Sequence, residues 1–288
     1  MLEVAYVPAG RLIREFETLC SDRGIPFTLE TSVRPPDDTT LFTTSGMQRF
    51  KSLFADPEHQ GTLANVQTCL RLNDLDEIGD ATHYLSFRMI GLFSFRMLSL
   101  QDAIDFWLSF LDRVGLPPDH VTIHPDRLVD WSPLYRGRVP VVADPECRWS
   151  DGSIEGYCTE FYVQGIEIGN IVNPLGTCID CGFGLERLVG LIEGSSAPGR
   201  VPILLDAIET ITASGYRPGA QKQGYLLRKL LRLLGGLAPD LDHPLVQAEI
   251  ARQRRCMERY ERLRTKHPDK DRAWWWDTHG IDLDEVAR

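Results

Sequence analysis

The chain has 288 residues, 43% of them hydrophobic and 25% charged, enough for one large or two modest domains with a buried core. No apolar run approaches the ~18 residues of a membrane span, and the opening MLEVAYVPAGRLIREFE holds no secretory apolar stretch, so a cytoplasmic protein without membrane contact is expected. The net charge of −10 argues against a general polyanion binder, because its long-range field repels nucleic acid.

In chain order, residues 9–24 (AGRLIREFETLCSDRG) carry apolar positions at helical spacing and end in glycine, predicting an amphipathic helix. A Pro/Asp-rich loop (VRPPDDTT) leads into LFTTSGM, read as a short strand closed by Ser-Gly. VQTCLR (66–71) and HYLSFRMIGLFSF (83–95) are rich in β-formers and predict two strands, joined by the polar connection LNDLDEIGDAT. QDAIDFWLSFLDRV (101–114) is a helix stopped by GLPPD. The middle is short-stranded: VTIH, VPVVAD and EFYVQGIEIGNIV. Helical patterns then occupy 202–213, 223–234 and 245–266. The expected organisation is a strand-rich body over 1–195 and a helical region over 196–288.

Seven cysteines, an odd number without dense spacing, speak against a disulfide scaffold. The stretch GTCIDCGFGLERLVGLIEG (176–194) admits four readings: a metal knuckle at Cys178 and Cys181, a redox pair, a phosphate-binding helix start, or strand-turn-helix packing. A knuckle would need Cys147 and Cys158 as its second half, at irregular spacing, so no zinc is expected. Neither GxxxxGK[ST] nor a strand-linked GxGxxG is present, so any nucleotide would have to be held by other means. The basic residues Arg228, Lys229 and Arg232, then Arg252, Arg254, Arg255, Arg259, Arg262 and Arg264, read either as a salt-bridged helix face or as a contact surface for an acidic partner.

Two arginines stand in settings that suit adenylate chemistry. Arg71 ends a strand before a loop and a returning aromatic strand, and Arg187 lies in a Gly-x-Glu-Arg helix start. Guanidinium groups on rigid strands stabilise the charge that builds on a phosphate under attack, and one at a helix start can clamp a far phosphate or cover a purine. These settings resemble class II aminoacyl-tRNA synthetase motifs 2 and 3, and the likeness extends to the alanyl-tRNA synthetase catalytic core. LFTTSGMQRFKSLF is similar to that family's LFTNAGMNQFK, CLRLNDLDEIG to CVRAGGKHNDLENVG, and FRMIGLFSF to FEMLGNFSF. GYCTEFY resembles GPCTEIF, IEIGNIV resembles IEIWNIV, and IDCGFGLERL resembles VDTGMGLERI. Weaker similarity continues through KQGYLLRKLLRLLG and WWWDTHGIDLDEV.

The resemblance implies an α+β fold: a class II synthetase-type antiparallel sheet flanked by helices, followed by a small C-terminal helical region. It implies ATP as substrate with Mg²⁺, and L-alanine or a similar small amino acid. Arg71 would bind the α-phosphate and substrate carboxylate, and Phe87 and Arg187 would sandwich adenine. Glu167 would hold Mg²⁺, and Gly184 would border the nucleotide. Asp180 would anchor the amino group, with Trp149, Asn170, Val172 and Gly182 around it. A homodimer stays open.

Departures from the family pattern matter for the acceptor. The motif 2 loop is shortened to Leu72-Asn73 and loses its lysine. Arg88 replaces a glutamate, and Gly169 replaces a tryptophan, which would open space or admit a different backbone path. Ala220 and Lys222 replace acceptor-stem-reading asparagines, a helix before them is missing, and no editing domain is expected. Three functions follow: activation of a small amino acid for a non-tRNA acceptor (a small natural-product or nucleoside intermediate, or a carrier protein), a minimal alanyl-tRNA synthetase charging tRNA, or a catalytically silent binding paralogue.

Overall fold

The computed structural model describes residues 7–80, 82–150, 152, 154–279, 281 and 283. The end of the WWWDTHGIDLDEV stretch (280, 282 and 284–286) lies outside the described residues. Two compact units divide the chain, Met1–Ile203 and Leu204–Arg288.

The first unit is built on one nine-stranded sheet. Its strands are β1 (Phe27–Glu30), β2 (Gly61–Leu70), β3 (Ser86–Phe95), β4 (His120–Ile123), β5 (Val141–Ala143), β6 (Arg148–Ser150), β7 (Glu155–Val163), β8 (Ile166–Pro174) and β9 (Cys178–Gly184). The order is β1-β2-β3-β9-β8-β7-β4-β5, with β6 on β7. The pairing is antiparallel throughout its centre and parallel only at β1–β2 and β4–β5. Gln164 and Gly165, both at positive φ, join β7 to β8 by the two-residue hairpin turn whose twist suits antiparallel strands.

One face of the sheet is covered by helices α1 (Val7–Asp22), α3 (Leu100–Val114) and α5 (Leu185–Glu193). Their apolar stripes meet the inward residues of alternate strand positions, burying Phe16, Phe106, Trp107, Phe110, Ile90, Leu92, Ile171 and Phe183. Trp107 stacks on Phe183 with centroids 3.8 Å apart, pinning α3 to β9. Ser99 caps α3 through a reciprocal pair with Asp102, and Gly115 ends it in the left-handed conformation.

Two sequence expectations are corrected. LFTTSGM forms no strand; after irregular backbone a 3₁₀ turn runs Gly46–Phe50. Gln48 accepts a hydrogen bond from Thr44 N at 3.1 Å and donates to Thr40 Oγ1 at 2.7 Å, so a side chain takes the place of a ladder. The strand expected from 83 begins at Ser86, because His83 is tied back to Asp80 and Glu77. The short β1, β6 and α2 (Lys51–Ala55) gave no readable periodicity.

The second unit is helical. Helix α6 (Arg200–Ala213) crosses its boundary and is followed by α7 (Lys222–Leu237), α8 (Pro244–Arg264) and α9 (Arg272–His279). Helices α7 and α8 pack around Glu249, which is 5% exposed. Arg252 grips that carboxylate at 2.7 and 2.9 Å, and Arg228 and Arg232 approach it at 3.4 and 3.5 Å. Three members of the basic clusters are therefore internal counter-charges, while Arg254, Arg255, Arg259 and Arg262 stay exposed. Removing one partner strands buried charge of the other sign. Glu249→Ala should lower stability by about 3 kcal/mol in denaturant titration.

Candidate active site

The sheet face opposite the α1–α3–α5 layer carries a cavity of about 400 Å³. All ten residues singled out from the sequence line it: Arg71, Phe87, Trp149, Glu167, Asn170, Val172, Asp180, Gly182, Gly184 and Arg187. They come from four strands, the residue that follows β2 and a helix start, brought together by register. Phe93 pairs with Asp180, Asp180 with Val172, and Val172 with Cys158. One pleat along, Gly91, Gly182, Asn170 and Glu160 form a second row. Intervening residues such as Cys181, Ile171 and Phe183 point to the core, as strand alternation requires.

Glu167 reaches the cavity through an irregularity. The register shifts between Phe161 and Tyr162, which pair with Gly169 and Glu167, so Ile168 is an extra residue on β8. Strict alternation from Asn170 would turn Glu167 toward the core; the bulge instead buries Ile168 and presents Glu167 to the cavity.

Asp180 is 9% exposed, and no hydrogen bond or ion pair to its carboxylate is present among the described residues. Burial alone pushes its carboxyl up to about 7. An acid held this way favours a cation or a proton beside it. The two arginines each have a partner. Arg187 Nη1 donates to the Glu167 carbonyl at 2.8 Å and meets its carboxylate at 3.3 Å. Arg71 Nε donates to Thr44 O at 3.0 Å, and its guanidinium lies 5.1 Å over the Phe87 ring.

Residues 22–130 match the family model described as tRNA synthetases class II (A). The alanine–tRNA ligase of Chlamydia trachomatis serovar L2 is 29% identical over 275 residues, 68% of this chain and 31% of that protein. The alanine–tRNA ligase of Rubrobacter xylanophilus is 23% identical over 326 residues, 79% of this chain and 36% of that protein. The chain is similar to the alanine-type class II synthetases. It spans about a third of the length of these curated relatives. A solved pyrrolysyl tRNA synthetase from Desulfitobacterium hafniense overlays with TM-score 0.40 at 14% identity, covering 74% of each chain.

Against the synthetase pattern, the departures acquire physical reasons. Arg88, the charge reversal, is paired with Glu186: its Nε donates to one carboxylate oxygen at 2.8 Å and its backbone N to the other at 2.7 Å. The pair ties β3 to the first turn of α5 and so holds Arg187 against the cavity. Gly169 borders the cavity, but a Cβ there would lie 2.4 Å from Phe183 and 2.5 Å from the Gly182 carbonyl, so the glycine serves close strand packing. At Gly182 a Cβ would press on Met89, another lining residue, whereas at Gly184 it would make only ordinary contacts.

Cys178 and Cys181 form no knuckle. Three positions apart on a strand they face opposite sides, Cys178 among Met47, Phe54 and Phe95 and Cys181 in the main core. The sequence reading gave no role to Glu160, Glu186, His83 or Tyr84, which also line the cavity. Glu160 was legible only as part of GYCTEFY; its facing Asn170 is a product of register.

The Asp180 assignment predicts a pH-dependent stability. The unfolded chain releases this proton near the ordinary value of 3.8, while the folded chain keeps it to about 7. Wild-type stability therefore falls as pH rises through that window, and Asp180→Asn escapes the loss. In denaturant titrations the variant should gain on wild type between pH 4 and pH 7, by up to about 4 kcal/mol, with a flat difference above. A difference independent of pH would contradict it.

Proposed function

We propose that the protein activates a small amino acid, most simply L-alanine, as its aminoacyl-adenylate and passes the acyl group to an acceptor other than tRNA. The observation that carries the first step is the convergence of Arg71, Arg187 and the unpartnered Asp180 on one cavity. The amino acid's ammonium pairs with Asp180, which orients its carboxylate toward the α-phosphate of ATP. A carboxylate oxygen bonds to that phosphorus and pyrophosphate leaves. Arg71 stabilises the negative charge on the pentavalent phosphorus, and Arg187 binds the nucleotide's far side. An acceptor nucleophile then attacks the acyl carbon and AMP departs.

Glu167 is a half-buried hard oxygen donor on this cavity, and Mg²⁺ needs only one or two carboxylates besides phosphates and water, so its side chain fits the ion the family implies. Such an ion would neutralise phosphate charge. Binding would draw Glu167 from Arg187, freeing the guanidinium for ATP.

Two features favour a non-tRNA acceptor. The shortened turn after Arg71 is acidic: Asp74 and Asp76 lie in it, and Asp74 lines the cavity. Carboxylates there repel a phosphate backbone. In the helical unit, Arg228, Arg232 and Arg252 are held by Glu249. Against this, the exposed arginines of α8 favour the second reading, charging of tRNA or a hairpin mimic.

ATP–pyrophosphate exchange over a panel of small amino acids tests the first step. Exchange should appear, and Arg71→Ala should lower it about 100-fold or more without changing the fold. Amino-acid affinity should rise about fivefold from pH 6 to pH 7 and at most about twofold more above, as Asp180 ionises. No exchange with any amino acid would sink the reading. Acylation of purified tRNA would decide for the second acceptor.

A further inference from the structure

At the edge of the same cavity three ligand-type side chains meet. The sulfurs of Cys147 and Cys158 and a carboxylate oxygen of Glu160 lie within 4.8 Å of one another. Both thiols are buried and neither cysteine is in a disulfide. The placement is built by the backbone. Cys158 and Glu160 are two positions apart on β7 and share a face, and Cys158 N bonds the Cys147 carbonyl at 3.0 Å, drawing the turn after β5 against the strand.

Surrounding hydroxyls orient the cluster. Cys147 Sγ approaches Thr122 Oγ1 at 2.9 Å. Glu160 accepts from Tyr162 Oη at 3.0 Å and from Thr122 at 3.5 Å, and Tyr162 is held flat against His120. Supporting hydrogen bonds of this kind fix metal-ligand carboxylates in place. The apolar neighbours Trp149 and Val172 pack on the two cysteines and wall the cavity that Glu160 also lines.

We propose that Cys147, Cys158 and Glu160 bind one Zn²⁺ ion at the rim of the cavity, with a fourth coordination position open to it. Zinc is favoured because two thiolates and a carboxylate are a soft-to-borderline set, unsuited to Mg²⁺ or Ca²⁺. Tetrahedral zinc with Zn–S near 2.3 Å places two sulfurs about 3.8 Å apart. Cys158 Sγ already stands 3.9 Å from Glu160 Oε1. Small side-chain rotations close the rest. Binding displaces the two thiol protons to solvent, and the complex is a singly negative centre. Three protein ligands plus an open position is the pattern of a reactive site and not a closed structural one. Water, or a donor atom of the molecule in the cavity, completes the shell. The expectation of no zinc came from pairing these cysteines with Cys178 and Cys181, which face elsewhere.

The site is tested with metal alone, so its outcome is separate from pyrophosphate exchange. Full-length protein purified under reducing conditions without chelator should carry close to one zinc per chain by plasma mass spectrometry. After removal of zinc, Co²⁺ should titrate to one equivalent with a thiolate-to-cobalt charge-transfer band. Cys158→Ser should lose most of that band. Glu160→Gln should keep the band and weaken Co²⁺ at least about tenfold, a result that a misfolded protein would not give. Cys256→Ser, in the helical unit, should bind as wild type. The proposal is overturned if reduced wild type yields no such band, if the band survives both Cys147→Ser and Cys158→Ser, or if peptide mapping finds these two joined as a disulfide where metal should be. Protein that exchanges pyrophosphate yet takes up no Co²⁺ would remove this site and leave the adenylate reading standing.

Discussion

The register of the four central strands is the constraint on which the rest depends. Strands β3, β9, β8 and β7 align Phe93, Asp180, Val172 and Cys158 in one row and Gly91, Gly182, Asn170 and Glu160 in the next. These rows stand on the cavity side of the sheet, and the residues between them face the helices. A slip of one residue would send Asp180 into the apolar core and Phe183 into the cavity. The stack of Trp107 on Phe183 opposes that slip, since it rewards only the register in which β9 turns Phe183 toward α3. Core packing on one face thus holds the chemistry on the other.

Charge pairs refine the placement. The Arg88–Glu186 pair joins β3 to the start of α5, and the Arg187–Glu167 pair joins α5 to the bulged end of β8. Both pairs are partly exposed, so their value is orientation more than stability. Asp180 is the exception, a buried acid without a counter-charge among the described residues. A protein bears that cost where a ligand supplies the missing partner, which is why the unpaired acid is the informative group in this cavity.

The helical unit follows a different logic. Its basic helices gather around one buried glutamate, which turns part of an apparent polyanion-binding stripe into internal structure. Charge counted along a sequence overstates the charge a surface offers, because the folded chain neutralises some of it from within.

Much was legible locally. Helix α3 announced itself through apolar spacing and Gly115, and the aromatic β3 and the strand-to-helix passage at CIDCGFGLER were visible from composition and punctuation. The motif order around Arg71, Asp180 and Arg187 also stood in the sequence, Arg71 and Arg187 by their settings at strand and helix ends and Asp180 through the resemblance of IDCGFGLERL to a synthetase motif. What pattern could not reach were contacts between distant segments. LFTTSGM has strand composition, yet Gln48 folds it into a turn. Glu167 reads as core-facing by alternation until the bulge at Ile168 is known. Gly169 reads as a gap until Phe183 is seen to fill it. The pairing of Cys147 with Cys158 and Glu160, in place of Cys178 with Cys181, was decided by strand register. Elements and the residue types available for chemistry could be read along the chain, because periodicity and turn chemistry act over a few residues. Which side chains meet depended on the assembled fold, because register, bulges and buried charge pairs are properties of strands and helices already in place.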